Sequence, residues 1–122
     1  MSLSGAGKHL LLDLDGADVA GLLDASGIEA LLREAALLAG ATVIHGHFHH
    51  FGTGMGVTGV LLLRESHISI HTWPEHAYAA VDIFMCGDAQ PEIAARHIEA
   101  GLQGSGRIRV LGRQPAVSDS LI

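Results

Sequence analysis

The side chains able to do chemistry are concentrated between His45 and Cys86, most densely in Glu65-Ser66-His67-Ile68-Ser69-Ile70-His71-Thr72-Trp73-Pro74-Glu75. Ser66 is a hydroxyl between a carboxylate and an imidazole. A hydroxyl is a poor nucleophile unless strain and a nearby base assist it, and a tight turn between two strands can supply the strain. Cys86 is the single cysteine of the chain. Thiols in general can act as acids near neutrality, although a cysteine taken alone is more often a small buried residue. His45, His47 and His49 recur at two-residue spacing. On a strand they project to one side, where they could join Cys86 or a carboxylate around zinc.

The elements that must position these groups follow from periodicity. Lys8 to Asp15 alternates, with Leu10, Leu12 and Leu14 on one face, as a half-buried strand does. Between Ser26 and Gly40 the spacing of Ile28, Leu31, Leu32, Ala35 and Ala39 predicts a helix, with Ser26 and Glu29 as a capping box. Strands are predicted over Ala41 to His49, Val57 to Arg64, His67 to Thr72 and Ala77 to Met85, with Gly52 to Gly56 a loop and Trp73-Pro74 a stop. Pro91 opens a second helix carrying Ile93, Ile98 and Leu102, which Gly101 and Gly104 weaken, and Arg107 to Leu111 adds a last strand. Gly112 to Ile122 reads as a loosely held tail. The order predicts an α+β two-layer sandwich, a largely antiparallel sheet covered on one face by two helices, in a single domain over residues 1–122.

Composition narrows the partners. A formal charge of −6 with only seven basic residues disfavours nucleic acid, which requires clustered Lys and Arg. A cationic small molecule suits the charge better. One cysteine cannot form an internal disulfide, no leader pattern opens the sequence, and the apolar runs are far shorter than a membrane helix, so the expectation is a soluble cytoplasmic protein.

The central segment, together with Gly56-Val57-Thr58-Gly59-Val60 and Ala79-Ala80-Val81-Asp82-Ile83-Phe84-Met85-Cys86-Gly87-Asp88, closely resembles the short prokaryotic S-adenosylmethionine decarboxylases, over about Lys8 to Leu102. The resemblance implies that Ser66 attacks the carbonyl of Glu65, and that elimination and hydrolysis then leave fragments 1–65 and 66–122, the second headed by a covalent pyruvoyl group. His71 is implied as the processing base and Thr58 as the hydroxyl that donates to the developing oxyanion. The pyruvoyl cofactor would hold the substrate amine as a Schiff base and accept electrons as carbon dioxide leaves, and Cys86 would reprotonate the product. Phe51 is implied to stack on adenine, Trp73 to line the same pocket, and Glu75 to bind the ribose hydroxyls. A homodimer is implied too, with the pairing helping to form the active sites.

The chain departs from the family pattern near the nucleoside. Gly-Thr-Gly-Met-Gly follows Phe51, His76 replaces a frequent tyrosine, and Arg64 precedes the cleaved pair. Two other readings therefore stay open: a pyruvoyl-dependent ornithine or arginine decarboxylase, with Asp13, Asp15 or Asp82 facing the distal cation, and the histidine-rich metal-binding module.

Overall fold

The computed structural model describes residues 6–116. Six strands, β1 (Gly7–Asp15), β2 (Val43–His50), β3 (Val57–Leu63), β4 (Ser66–Trp73), β5 (Tyr78–Cys86) and β6 (Ser105–Arg113), form one sheet in the order β2-β3-β4-β5-β1-β6. Every neighbouring pair is antiparallel. Helices α2 (Ala25–Leu38) and α3 (Pro91–Leu102) pack on one face, preceded by the single turn α1 (Val19–Leu22). The predicted two-layer α+β architecture is the observed one.

Alternation decides which side chains meet the helices. Leu10, Leu12 and Leu14 of β1, Leu61 and Leu63 of β3, Ile68 and Ile70 of β4 and Val81, Ile83 and Met85 of β5 are buried with Ile28, Leu32, Ala94, Ala95 and Ile98 of the helices. The intervening residues line the opposite, helix-free face: Thr58, Val60 and Leu62; His67, Ser69, His71 and Trp73; Tyr78, Ala80, Asp82, Phe84 and Cys86; and His9, Leu11 and Asp13. The chemistry-bearing face and the core are thus separated by one sheet thickness.

Four details differ from the sequence-based reading. The cap of α2 is Asp24, whose carboxylate accepts from the Gly27 N–H at 3.0 Å, while Glu29 pairs with Arg33 one turn on. An acceptor-only carboxylate displaces Ser26 from the cap, and the Ser26 hydroxyl donates to it instead. The turn α1 lacks the periodicity that would announce it. Gly101 does not merely weaken α3: a Cβ there would lie 2.4 Å from Leu31 Cδ1, so the glycine sets the close approach of α3 to α2. Gly112 and Arg113, assigned to a tail, complete β6 against Gly7 and Lys8; residues 117–122 of that tail lie outside the described part.

Thr72 ties the layers together. Its buried hydroxyl accepts from the Val57 N–H and donates to the Leu22 carbonyl, each at 2.9 Å. Thr72→Val keeps the volume and strands both groups, so it is expected to destabilise the fold by about 1–3 kcal/mol. Urea unfolding measures this, and an unchanged midpoint would show that the bridge contributes nothing.

Candidate functional site

Leu63 pairs directly with Ser66, leaving Arg64 and Glu65 as a two-residue turn between β3 and β4. Glu65 sits there at φ 60°, a left-handed conformation that costs a non-glycine residue roughly 1–3 kcal/mol. The strain falls on the residue whose carbonyl precedes Ser66. Cys86, at the end of β5, points its thiol at that carbonyl: Sγ donates to the Glu65 oxygen at 3.4 Å. Glu65 and Ser66 line an open cleft of about 410 Å³ with His9, His67, Phe84 and Arg113.

The other expected site residues gather elsewhere. Phe51, Thr58, His71, Trp73 and Glu75 line a second cleft of about 230 Å³ that also includes Met55 and Gly56. Thr58 Oγ1 and His71 Nδ1 are 3.1 Å apart on neighbouring strands. Trp73 stacks on Tyr78 with ring centroids 5.4 Å apart, and Tyr78 donates to Asp13 at 2.5 Å. That hydrogen bond, with partial burial, raises the Tyr78 pKa above the usual phenol value. It keeps the ring a neutral, fixed support for Trp73.

Ser66 and His71 both belong to β4, five residues apart. At strand rise this is about 17 Å, so the His71 ring of one chain does not reach the Ser66 hydroxyl of the same chain. The residues expected at one site therefore lie in two groups, one at each end of β4.

Beside Ser66, and sharing His9, His67 and Arg113 with the first cleft, lies a cluster that the sequence reading did not assemble. Asp82 accepts from the His9 Nε2 through one carboxylate oxygen and, through the other, from His67 Nε2 and the Ser69 hydroxyl at 3.2 Å each. Arg113 Nη1 lies 3.1 Å from His9 Nδ1. The usable signal was parity: with β1 and β5 antiparallel, His9 sits opposite Phe84, one row from Asp82. Partial burial pushes the Asp82 carboxyl up, but the hydrogen bonds from His9 and His67 outweigh it and hold the group below the ordinary carboxylate range.

Among the described residues, His9, His67 and Asp82 are the group whose donor atoms all fall within 4.8 Å of one another. His45, His47 and His49 are not so gathered. They lie on edge strand β2, with a register shift between Val43 and His45, and two strands separate them from β5 and Cys86, roughly 14 Å at ordinary strand spacing. The metal module as first read is therefore not formed. The carboxylates that an ornithine or arginine substrate would need are also engaged: Asp13 by Tyr78, Asp15 by Arg107 and Asp82 by the imidazoles.

The family model described as S-adenosylmethionine decarboxylase matches residues 8–113. The chain belongs to the S-adenosylmethionine decarboxylase family. It is 49% identical over 98 residues to an S-adenosylmethionine decarboxylase proenzyme of Methanococcus maripaludis, covering 80% of each chain. To the proenzyme of Thermodesulfovibrio yellowstonii it is 45% identical over 93 residues, 75% of this chain and 68% of that one. The crystal structure of the adenosylmethionine decarboxylase from Aquifex aeolicus superposes with a TM-score of 0.77 at 37% identity, over 93% of this chain and 92% of that one. The resemblance read from the Glu-Ser-His segment is thereby borne out as family membership. No helix among the described residues is long and apolar enough to cross a membrane.

The depressed Asp82 carboxyl gives a signed pH dependence. Because the folded state favours the ionised form, the stability it contributes is present above the unfolded value of about 4 and is lost as pH falls below it. Thermal midpoints measured from pH 6 to pH 3 should fall more steeply for the parent than for Asp82→Asn. Parallel curves would deny the carboxylate that role.

Proposed function

We propose that this chain is a proenzyme that cuts itself between Glu65 and Ser66 and then, as a homodimer, decarboxylates S-adenosylmethionine. The observation that carries the reading is the division of the machinery into two half-sites at opposite ends of one strand. A second copy completes both if the two helix-free faces stack, about 10 Å apart, around a two-fold axis lying between the sheets. An axis perpendicular to β4 and crossing near its middle reverses the strand direction. Ser66, Glu65 and Cys86 of one protomer then meet Thr58, His71, Trp73 and Glu75 of the other, twice over, as an isologous interface requires. Exposed Val60, Leu62, Trp73 and Leu111 give that face apolar surface to cover.

In the assembled site His71 of one subunit takes the Ser66 hydroxyl proton of the other. The hydroxyl oxygen attacks the Glu65 carbonyl carbon, whose residue is already strained out of the extended conformation. As negative charge grows on the carbonyl oxygen, the Cys86 thiol donates to it from one side and Thr58 of the partner subunit from another. The Glu65–Ser66 C–N bond then breaks, its nitrogen taking up a proton, to give an ester. Loss of the Ser66 α-proton expels the Glu65 carboxylate, and hydrolysis of the resulting dehydroalanine releases ammonia. This leaves fragments 1–65 and 66–122, with a pyruvoyl group at position 66 that would supply a carbonyl electron sink for the carbon that loses its carboxylate. Once the Glu65 carbonyl has gone, the Cys86 proton is free to be delivered to that carbon. Phe51 and Trp73 present faces for the purine and sulfonium, and the Glu75 carboxylate accepts from the ribose diol. The product is the aminopropyl donor for spermidine synthesis, made in the cytoplasm.

Intact mass of purified protein should show two fragments, and Ser66→Ala one chain. Co-expressing a Ser66→Ala chain with a His71→Ala chain tests the shared site: the His71→Ala chain should be cut only in the mixture. Cutting of His71→Ala expressed alone would defeat the two-subunit arrangement. With processed protein, S-adenosylmethionine should release carbon dioxide and ornithine should not, and Glu75→Gln should raise KM about 10-fold with a smaller effect on kcat.

A further inference from the structure

Three strands converge on Asp82, and the hydrogen-bond directions within the cluster are determined by its chemistry. Arginine only donates, so the Arg113 guanidinium requires a lone pair on His9 Nδ1. The proton of His9 is therefore on Nε2, where it is given to Asp82. An ionised carboxylate only accepts, so the Nε2 of His67 also carries a proton, and the Ser69 hydroxyl points its hydrogen the same way. In its neutral form His67 is then left with an unprotonated Nδ1, the ring nitrogen nearer the main chain, in the second residue after the scissile bond. The same ring stacks on Phe84, centroids 6.0 Å apart, and His9 meets Phe84 edge-on at 5.7 Å. Phe84 thus packs against both imidazoles and restrains the plane of each, while the carboxylate fixes their tautomers.

A bound transition metal would need the lone pairs of both Nε2 atoms, the opposite arrangement. Arg113 could not then donate to His9, whose proton would have moved to Nδ1. The observed partners favour the hydrogen-bonded clamp over an ion.

We propose that Asp82 is a positioning residue for self-cleavage, which anchors His67 and His9 as Nε2–H tautomers and thereby holds the start of β4, and with it Ser66, in register beside Glu65 and Cys86. The proposal rests on the self-cleavage reading. It gives the helix-free face a third functional element, distinct from the base that acts across the dimer and from the nucleoside cleft.

The test uses full-length protein and three readouts. Asp82→Asn presents an amide whose NH2 cannot accept from the second imidazole, so scission should slow at least 10-fold, and Asp82→Glu should recover part of the rate. Long-range proton–nitrogen correlation spectra of an uncleavable Ser66→Ala chain should show His9 and His67 as Nε2–H tautomers, and adding Asp82→Asn should remove that signature from at least one. His9→Gln, which keeps a donor at the Nε2 position, should cleave within about threefold of the parent, whereas His9→Leu should slow; this pair decides the matter if Asp82→Asn fails to fold. Parental scission with equally fast Asp82→Asn would overturn the proposal alone, and a parent that never cleaves would overturn the self-cleavage reading and this proposal together. Stoichiometric zinc in untagged protein, lost in Asp82→Asn, would also overturn it, because the tautomers would then be the reverse.

Discussion

The period-two alternation of an antiparallel sheet, helices on one side only, is the constraint from which the rest of this structure follows. Each strand contributes its even or odd set to a core of Leu, Ile, Val and Ala, and whatever occupies the other set is delivered to a single common surface. In β4 the core set is Ile68, Ile70 and Thr72 and the surface set is His67, Ser69, His71 and Trp73. A one-residue slip would bury three polar side chains and expose the core, so the register that folds the protein is also the register that arranges its chemistry. Stability and site geometry are specified by the same pairing.

That constraint also limits what one chain can do. Each residue of a strand adds about 3.3 Å, so a nucleophile at the start of β4 and a base five residues further on cannot meet. A flat face has no means of folding its two ends together without breaking strands. Pairing with a second face is the inexpensive solution, since it needs only surface complementarity and a reversal of strand direction. The open aspect of both clefts in a single chain supports the proposed dimer, in which each would be half of a wall.

Much of this was legible in the sequence, for reasons that differ residue by residue. Leu10, Leu12 and Leu14 announced β1 because alternation there is strict, and Pro91 announced α3 because its missing N–H is harmless only at a helix start. Ser66, Cys86 and Thr58 were singled out through a long motif, not through any property of a lone serine, thiol or hydroxyl. What the sequence concealed was relational. The cap at Asp24 and the box at Ser26 and Glu29 are both chemically acceptable, and only the path of the chain into α2 selects one. Asp82 looked like one carboxylate among several until β1 and β5 were seen as neighbours, and the separation of Ser66 from His71 becomes evident only once both are known to lie on the same uninterrupted strand.

The turn at Arg64-Glu65 shows how local cost and function are reconciled. Glycine would occupy the left-handed position without penalty, yet the chain uses glutamate there and accepts roughly 1–3 kcal/mol of strain. The surrounding pairing keeps the turn closed: Leu63 is locked to Ser66, the β3–β4 ladder runs through Thr58 and His71, and β4 is paired along its other edge to β5. The Cys86 thiol on the Glu65 carbonyl adds a contact that would be wasted on an inert peptide bond. A residue held in an unfavourable conformation, its carbonyl already hydrogen-bonded and its successor a hydroxyl, supports the proposed scission. Under the proposed scission the cost would be a property of the uncut chain alone, because severing the backbone at Glu65 would release it and leave the paired strands on either side in place.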